Sequence, residues 1–416
     1  MLGKLGHGST ASVFRAHDPF RNIEVAIKLF DPRVFAAADG ELARNGFQVE
    51  AALLGKLDHP HVVRVFDVST GPDDFYVVSE YVPGGTLADY TARGKLMDIE
   101  SAIDVIYKCV KALQYLHANG VIHRDIKPEN IFVGDGTDVK LGDFGAAMVS
   151  GLSISQRVEI GSPFYMSPQR LQGDEADVQS DIFSVGVLFY QLITGRRPFD
   201  ANSIAALAYQ MQCVEPAAAS SIRHEVPVDV DRILVRAMSP ALAARYATWE
   251  PFANDLSALF RTRDGRIRHE LLVAASGRFE VLRQLSFFVT FTAIELWEVV
   301  NQSEFKHVVE GNVLMHENEQ GAEFLVLVEG SVRIVKGSKV IDIVQAPSTL
   351  GEIAYVLKGN VPRNASVVAI EDGLVLHMSL AGAARLSSNC RSKLERRFLE
   401  ILALRLIDTS RRLSHN

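Results

Sequence analysis

The chain contains few cysteines and only a modest excess of acidic residues. Its three cysteines, Cys109, Cys213 and Cys390, are far apart and odd in number. They make neither a metal-binding pattern nor a disulfide framework, so we expect a reducing, cytoplasmic environment. The net charge of −7 argues against a dedicated nucleic-acid binder.

Long apolar runs are also absent. The most apolar stretch, residues 185–193, is too short to cross a bilayer and includes Tyr190 and Gln191. The N-terminus shows no charged-then-apolar leader. We therefore expect no membrane partner.

The length and composition indicate several folded domains. At 416 residues, with 48% hydrophobic and 22% charged residues, the chain is globular and too long for one ordinary core. Residues 1–260 alternate strand-like and helix-like segments, with helical spacing over residues 101–117 and 180–193. Residues 279–378 are mainly strand-sized runs with glycine turns, the runs being 324–328, 332–335, 340–344, 366–370 and 374–378. The basic, glycine-containing segment between them predicts a linker at 261–278.

Two short segments of the first part carry polar residues at fixed offsets. One reads His-Arg-Asp-Ile-Lys-Pro-Glu-Asn over residues 123–130, and the other reads Asp-Phe-Gly over residues 143–145. Chance rarely produces both segments with Asp125 and Asp143 separated by 18 positions. Together they resemble the catalytic and metal-binding segments of protein kinases.

The resemblance implies a role for each polar residue of these segments. Asp125 would accept the proton of the substrate hydroxyl, and Lys127 would stabilise the charge on the transferring phosphoryl group. Asn130 and Asp143 would hold Mg²⁺. Lys127, two residues after the base, is typical of the serine/threonine branch. The implied cofactors are ATP and Mg²⁺, and the implied partner is a protein substrate.

Residues 6–13 resemble the glycine-rich loop that covers the ATP phosphates in this family. Gly6, Gly8 and Val13 match the pattern, while Ala11 replaces the third glycine. Alone, this loop is equally consistent with a plain glycine turn.

Lys28 strengthens the match, because it follows Ala26 in a Val-Ala-Ile-Lys strand 15 residues after the loop. A lysine there would contact the α- and β-phosphates and would need an anionic partner. We predict Glu50, with Glu41 as the runner-up and a solvated helix residue as the alternative. Residues 79–82 resemble the hinge, where backbone groups of Glu80 and Val82 would bind adenine beside the small gatekeeper Ser79.

From Gly6 to about Arg245 the chain resembles bacterial serine/threonine kinases of the eukaryotic-like type. Asp181 resembles the buried aspartate that anchors the catalytic loop, which is residues 123–130 here. The family's Ala-Pro-Glu is Ser-Pro-Gln here, so Gln169 replaces the glutamate that normally pairs with an arginine, for which Arg245 is the candidate. An uncharged partner for Arg245 is expected to affect the rigidity of this part of the chain more than its catalytic chemistry.

The activation segment, residues 143–161, contains no threonine. In this family an arginine at the Arg124 position usually receives a phosphate. We therefore predict autophosphorylation at Ser150, Ser153 or Ser155, the alternative being that these serines only keep the loop soluble.

The second part resembles cyclic-nucleotide-binding domains through a glycine turn and a phosphate-binding cassette. Arg363 would bind the cyclic phosphate, Glu352 would accept a hydrogen bond from the ribose 2′-OH, and backbone amides would complete the cradle. The predicted site residues are Gly351, Glu352, Ile353, Ala354, Arg363, Asn364 and Ala365.

The cassette departs from the family pattern in length and at Asn364. Glu352 and Arg363 are 11 positions apart, against about nine in close family members. Asn364 leaves the choice between cyclic AMP and cyclic GMP open. A ligand-free docking domain and a site for another small anion are the alternatives.

The tail predicts a helix with an apolar stripe. The stripe residues, spaced by three and four, are Leu399, Leu402, Leu406, Thr409 and Leu413. Such a pattern is typical of a coiled coil. We expect it to pack against its own domain, with homodimerisation as the alternative.

The sequence thus predicts an α+β chain: a bilobal kinase with N-lobe 1–82 and C-lobe 83–260, a linker 261–278, a β-roll 279–380 and a C-terminal helical segment 381–416. The predicted function is a protein kinase regulated by a cyclic nucleotide. A constitutive kinase with a docking domain and a pseudokinase scaffold stay open.

Overall fold

The computed structural model of the chain describes residues 1–7, 11–31, 54–70, 75–92, 94–134, 138–143, 163–259 and 275–414. The chain divides into two compact units, Met1–Arg268 and His269–Asn416. Helices and antiparallel sheets occur in both units, which confirms the predicted α+β class. None of the described helices is long and apolar enough to span a bilayer.

The first unit begins with an antiparallel five-stranded sheet of order β1-β2-β3-β5-β4. Its strands are β1 Gly3–His7, β2 Ala11–Asp18, β3 Ile23–Phe30, β4 Val65–Thr70 and β5 Phe75–Glu80. Lys28 on the middle strand pairs with Val13 on one side and Val77 on the other. Ala26 pairs with Ser79. The sheet therefore places the predicted loop, lysine and hinge positions on adjoining strands.

The rest of the first unit is mainly helical, with one short hairpin. Its elements are α1 Ile99–Ala118, β6 Ile131–Val133, β7 Val139–Leu141, α2 Pro168–Gln172, α3 Val178–Thr194, α4 Ile204–Cys213, α5 Ala219–Ile222, α6 Val228–Ala237 and α7 Trp249–Ala258. Helix α1 begins where Asp98 accepts a hydrogen bond from the Ser101 N–H. The helices predicted over 101–117 and 180–193 correspond to α1 and α3.

Helix α3 forms the buried centre of this unit. A reciprocal capping box between Asp177 and Ser180 starts it, and Gly195 in the left-handed conformation ends it. Buried residues occur on all faces of this helix, which is typical of a helix in a protein core. This placement buries Asp181, in the first turn, next to the catalytic loop.

The second unit contains two four-stranded antiparallel sheets, of order β13-β10-β15-β8 and β12-β11-β14-β9. The strands are β8 Glu304–Val308, β9 Val313–Met315, β10 Phe324–Glu329, β11 Ser331–Lys336, β12 Lys339–Gln345, β13 Ser348–Leu350, β14 Ser366–Ala369 and β15 Gly373–Met378. Strands β10, β11, β12, β14 and β15 were predicted. The other three are short or carry few apolar residues. Side chains such as Leu325, Leu327 and Leu350 form the core between the sheets.

Five helices accompany these sheets: α8 Ala275–Gln284, α9 Ala293–Gln302, α10 Glu352–Val356, α11 Leu380–Arg385 and α12 Ser388–Ser414. Helix α8 begins inside the segment predicted as linker. Glu295 belongs to the capping box of α9 and also accepts a hydrogen bond from Lys393 at 2.7 Å. This contact ties α12 to α9.

The predicted stripe of α12 does not pack as expected. Leu394 and Phe398 are buried, with Phe398 against Phe324. Leu399 and Leu406 are instead 57% and 68% exposed. Leu394 and Phe398 therefore lie on a different face of α12 from Leu399 and Leu406, while Leu402 is half-buried. The burial of Thr409 and Leu413 lies outside what the structure describes.

Candidate functional site

The catalytic loop is held by the buried carboxylate of Asp181. Its Oδ2 accepts the His123 N–H at 2.9 Å, and its Oδ1 accepts the Arg124 N–H at 3.0 Å. Burial raises the pKa of this carboxyl, whereas His123 and the two backbone donors favour its ionised form. The contact predicted for Asp181 is therefore present, and it fixes the peptides just before Asp125.

Asp125, Lys127 and Asn130 form one hydrogen-bonded cluster. Lys127 Nζ lies 2.7 Å from Asp125 Oδ2. The Asn130 amide nitrogen donates to the backbone carbonyl of Asp125 at 2.7 Å and to its Oδ2 at 2.9 Å. Two donors thus orient the Asp125 carboxylate through its Oδ2, while no described residue donates a hydrogen bond to its Oδ1.

Lys28 pairs with Asp143, which lies 115 positions later in the chain. The Lys28 ammonium also lies 5.3 Å from the centre of the Phe30 ring. Asp143 has a positive φ of 56° directly after strand β7. The predicted partner Glu50 and its runner-up Glu41 lie outside the described residues.

The donor set at Asn130 and Asp143 fits Mg²⁺. The Asn130 amide nitrogen faces Asp125, which leaves its amide oxygen available as a ligand. Asp143 supplies a carboxylate that is 37% exposed at its side chain. Carboxylate and amide oxygens are ligands that Mg²⁺ prefers. The described residues contain no group of three or more His, Cys, Asp or Glu side chains that could hold a metal ion by themselves.

The hinge segment is tied to the helical part of its unit. The Glu80 N–H donates to the Arg64 carbonyl at 2.8 Å, and the Glu80 carboxylate lies 2.9 Å from Lys140 Nζ on β7. Val82 follows two residues later, beyond the end of β5. Lys140 was not predicted, because no motif marks a lysine 60 positions from its partner.

The substitution at Gln169 preserves a contact with Arg245. Arg245 Nη2 donates to Gln169 Oε1 at 3.1 Å, and the Gln169 amide nitrogen donates to the Pro240 carbonyl at 2.7 Å. Arg245 is buried, and burial lowers its pKa to about 10. The predicted pairing of Gln169 with Arg245 is therefore confirmed, with both polar ends of the amide used.

Several predicted residues cannot be placed. Of the glycine-rich loop, Gly6 and Val13 lie on β1 and β2, where they pair with each other, whereas Gly8 lies outside the described residues. The phosphorylation candidates Ser150, Ser153 and Ser155 also lie outside them.

In the second unit Arg363 is a buried cation with three hydrogen bonds. Its Nη1 donates to the Gly351 carbonyl at 3.2 Å, and its Nη2 donates to the Glu323 carbonyl at 2.7 Å and to Glu323 Oε1 at 2.8 Å. Its Nε is buried and has no hydrogen-bond acceptor among the residues that the structure describes. A buried guanidinium with an unused donor is a fitting site for a small anion.

Glu352, the first residue of α10, is also buried. Burial raises its pKa, while Arg405 of helix α12 favours the ionised form. Arg405 donates to Glu352 and, at 2.8 Å, to the Thr349 carbonyl. The sequence contained no signal for Arg405, since it lies 53 positions after its partner in the tail helix.

The remaining cassette positions surround these two charges. Gly351 is left-handed, with φ of 80°, and caps α10. Ala354 is buried and Ile353 is 42% exposed. Asn364 is exposed and Ala365 is half-buried. The structure thus brings Gly351 and Arg363 into contact, while Glu352 contacts Arg405 instead.

Comparison with protein families gives two matches along the chain. A family model described as the protein kinase domain matches residues 1–244. A second, described as the cyclic nucleotide-binding domain, matches residues 305–389.

Curated relatives named serine/threonine-protein kinase match part of the chain. The serine/threonine-protein kinase PrkC of Bacillus subtilis is 36% identical over 263 residues, which is 62% of this chain and 40% of that protein. The serine/threonine-protein kinase PknL of Mycobacterium tuberculosis is 34% identical over 258 residues, covering 62% of this chain and 64% of that protein. The chain therefore spans less than two thirds of the length of these relatives.

Part of the chain also resembles a solved structure in fold. The crystal structure of Rad53 residues 1–466 in complex with AMP-PNP matches with a TM-score of 0.52 and 24% sequence identity. The match covers 61% of this chain and 63% of that one. At this identity the likeness concerns the fold alone.

We predict that Gly351→Ala will destabilise the second unit and disturb Arg363. A Cβ at Gly351 would lie 2.5 Å from Arg363 Nη1, 2.6 Å from Met315 Cε and 3.1 Å from the Glu323 carbonyl oxygen. The expected loss is about 2–4 kcal/mol, since steric strain adds to the left-handed backbone cost.

The matched control is Gly311→Ala, because Gly311 has a φ of 84° and an open environment. It should lose only about 1 kcal/mol, the backbone cost alone. Urea unfolding monitored by Trp297 fluorescence in a Trp249→Phe background isolates this unit. Equal losses for the two alanine variants would contradict the prediction.

Proposed function

Because the chain belongs to the protein kinase family, we propose that residues 1–260 transfer the γ-phosphoryl group of ATP to a serine or threonine hydroxyl of a protein. The observation that carries this proposal is the cluster of Asp125, Lys127 and Asn130. One carboxylate, one ammonium and one amide meet there in the arrangement that phosphoryl transfer requires. The relatives named serine/threonine-protein kinase support the same activity.

Each side chain of the site has a distinct task in this reaction. Asp125 accepts the proton of the attacking hydroxyl, which Asn130 helps by orienting the carboxylate. Lys127, beside Asp125, stabilises the negative charge on the transferring group. Asn130 and Asp143 would hold Mg²⁺, and Lys28 would bind the α- and β-phosphates. When bound, Mg²⁺-ATP supplies the phosphoryl group and neutralises charge on its phosphates.

A pseudokinase scaffold is the weaker alternative. It would need an incomplete set of catalytic side chains, yet Lys28, Asp125, Asn130 and Asp143 are all present. Gln169 does not favour it either, because the amide keeps the contact with Arg245. Serine autophosphorylation at Ser150, Ser153 or Ser155 stays a prediction, since it depends on residues outside those described.

We expect Asp125→Asn and Lys28→Met each to lower phosphoryl transfer by at least about 100-fold, because one removes the base and the other the phosphate contact. The measurement is transfer of radiolabelled phosphate from ATP to a generic protein substrate and to the chain itself. Asp229→Asn is the control, since that carboxylate is 65% exposed on α6. Equal transfer by wild type and Asp125→Asn would refute the enzyme and favour the scaffold.

We propose that the domain at residues 279–380 binds a cyclic nucleotide that regulates the kinase. The supporting observation is the buried Arg363 guanidinium beside the Gly351 turn, whose Nε finds no acceptor in the described part of the chain. A cyclic phosphate would supply charged acceptor oxygens to that donor. Burial raises the pKa of Glu352 and Arg405 opposes that rise; Glu352 would accept a hydrogen bond from the ribose 2′-OH.

A ligand-free docking domain is the alternative, and internal ion pairs are the observation that favours it. Glu323 already accepts from Arg363, and Arg405 already donates to Glu352. A nucleotide would have to compete with Glu323 for the guanidinium. Regulation, where it occurs, would transmit a coupling of about 1–3 kcal/mol to the kinase.

Calorimetry with cyclic AMP and cyclic GMP distinguishes a nucleotide-binding domain from a ligand-free docking domain. If a nucleotide binds, Arg363→Met should weaken binding by at least about 30-fold, because charge-assisted contacts contribute about 2–3 kcal/mol. Glu323→Gln should tighten it, since the competing charge disappears. The exposed Arg333 on β11 provides the control variant Arg333→Met.

The same proteins are then assayed for kinase activity with and without each nucleotide. A change in activity that Arg363→Met abolishes would support regulation. Absence of binding heat for both nucleotides would favour the docking domain instead.

We also propose a cytoplasmic homodimer formed through α12. The free thiols Cys109, Cys213 and Cys390 suit a reducing compartment. Leu399 and Leu406 lie seven positions apart and are both more than half exposed, as required for a seam between two helices.

Sedimentation analysis of paired leucine variants tests the dimer. Leu406→Glu, on the stripe, should convert a dimer to a monomer, because it places a charge in the seam. Leu404→Glu changes a residue that is 66% exposed on a different face of the helix and should leave the dimer intact. A monomeric wild type would contradict the proposal.

A further inference from the structure

Arg124, directly before the proposed base, adopts a backbone conformation that a side chain disfavours. Its φ is 68°, in the left-handed region. Such residues persist only where surrounding contacts hold them in place. The orientation of the Arg124–Asp125 peptide decides where the Asp125 carboxylate points. The contacts on this peptide therefore bear on the geometry of the base.

The N–H side of Arg124 is held by Asp181 at 3.0 Å, as the sequence predicted. The carbonyl side is held by a residue that belongs to none of the predicted motifs. Arg170 Nη1 donates to the Arg124 carbonyl oxygen. Asn130 then fixes the next carbonyl, that of Asp125, at 2.7 Å. Successive peptide groups around the base are thus each hydrogen-bonded.

Arg170 extends from a helix that is itself firmly anchored. Ser167 caps α2 by accepting the Arg170 N–H at 3.3 Å, and Ser167 is fully buried. Its hydroxyl lies 3.4 Å from that of Ser180, in the first turn of α3. The neighbouring Gln169 contacts Arg245 and the Pro240 carbonyl. The base of the Arg170 side chain is therefore fixed from both directions.

The charge of Arg170 also acts on Asp181. Burial raises the pKa of Asp181, and the interactions with His123, with the two backbone donors and with Arg170 oppose that rise. Arg170 thus acts on both sides of Arg124, directly on the carbonyl and electrostatically on the carboxylate that holds the N–H. The Asp181 carboxylate accepts hydrogen bonds but cannot donate one, so it cannot hold the Arg124 carbonyl itself.

We propose that Arg170 is a positioning residue for the phosphoryl-transfer base: it clamps the Arg124 carbonyl so that Asp125 faces the substrate hydroxyl. The inference rests on the proposed kinase activity for its kinetic consequence, but the clamp itself is a structural claim. The residues proposed to bind ATP do not include Arg170, so the clamp acts on turnover and not on ATP binding.

Steady-state kinetics of Arg170→Met test the clamp. Methionine keeps the aliphatic stem and removes the donor. We expect kcat to fall by about 10–100-fold, as a displaced catalytic group typically costs, with the KM for ATP within about twofold. Arg170→Lys, which keeps a donor, should retain more activity. Arg232→Met is the control, because its side chain is 77% exposed on α6.

Chemical rescue separates positioning from folding. In Arg170→Ala, millimolar methylguanidinium should restore part of kcat, whereas it should not affect Asp125→Asn. Unchanged kcat in Arg170→Met overturns the proposal. So does a loss of kcat that matches the loss of folded protein and resists rescue.

Amide hydrogen exchange provides a readout that does not need activity. The segment 121–127 should exchange faster in Arg170→Met than in wild type or Arg232→Met. Faster exchange in a chain whose wild type transfers no phosphate would refute the proposed kinase activity but support the clamp. Unchanged exchange together with unchanged kcat would refute the clamp while leaving the kinase activity intact.

Discussion

The carboxylate of Asp181 is buried in the first turn of helix α3 and accepts two backbone N–H groups of the catalytic loop. A buried charge is costly unless it is fully hydrogen-bonded, so this arrangement strongly specifies one loop conformation. Everything proposed for the phosphoryl-transfer site depends on it. The left-handed Arg124, the orientation of Asp125 and the contact from Arg170 all follow from holding that loop against α3.

The second unit uses the same principle with different residues. Arg363 and Glu352 are both buried, and each is paired with a residue from outside the cassette, Glu323 and Arg405 respectively. Each pair offsets part of the cost of burying a charged group. A cyclic nucleotide would have to compete with these ion pairs for Arg363 and Glu352. Because Arg405 belongs to α12, the tail helix is part of the cassette's electrostatics.

Local patterns predicted much of this molecule. The cluster around Asp125 involves residues within five positions of one another, so a sequence motif is enough to anticipate it. Helices α1 and α3 followed from apolar periodicity, and five strands of the second unit from apolar runs between turns. Strands β8 and β13 were missed because Glu304–Val308 is mostly polar and Ser348–Leu350 has only three residues.

Contacts between distant segments were harder to anticipate. Gln169 with Arg245 was predictable only because a related family pairs those positions. Lys140 with Glu80, Arg170 with the Arg124 carbonyl and Arg405 with Glu352 have no motif, since a long charged side chain can serve many partners. The apolar stripe of α12 likewise predicted a contact face, yet Leu394 and Phe398 are the residues that reach the core.

By itself the sequence determined which chemical groups are available: a base, a lysine, two metal ligands and a second anion-binding cassette, each set by short-range spacing. Only the tertiary structure decided which partners hold those groups. It pairs Lys28 with Asp143, Arg124 with Asp181 and Arg170, and Glu352 with Arg405. The physical reason is that burial makes an unpaired charge costly, and packing of remote elements alone determines which charges are buried together.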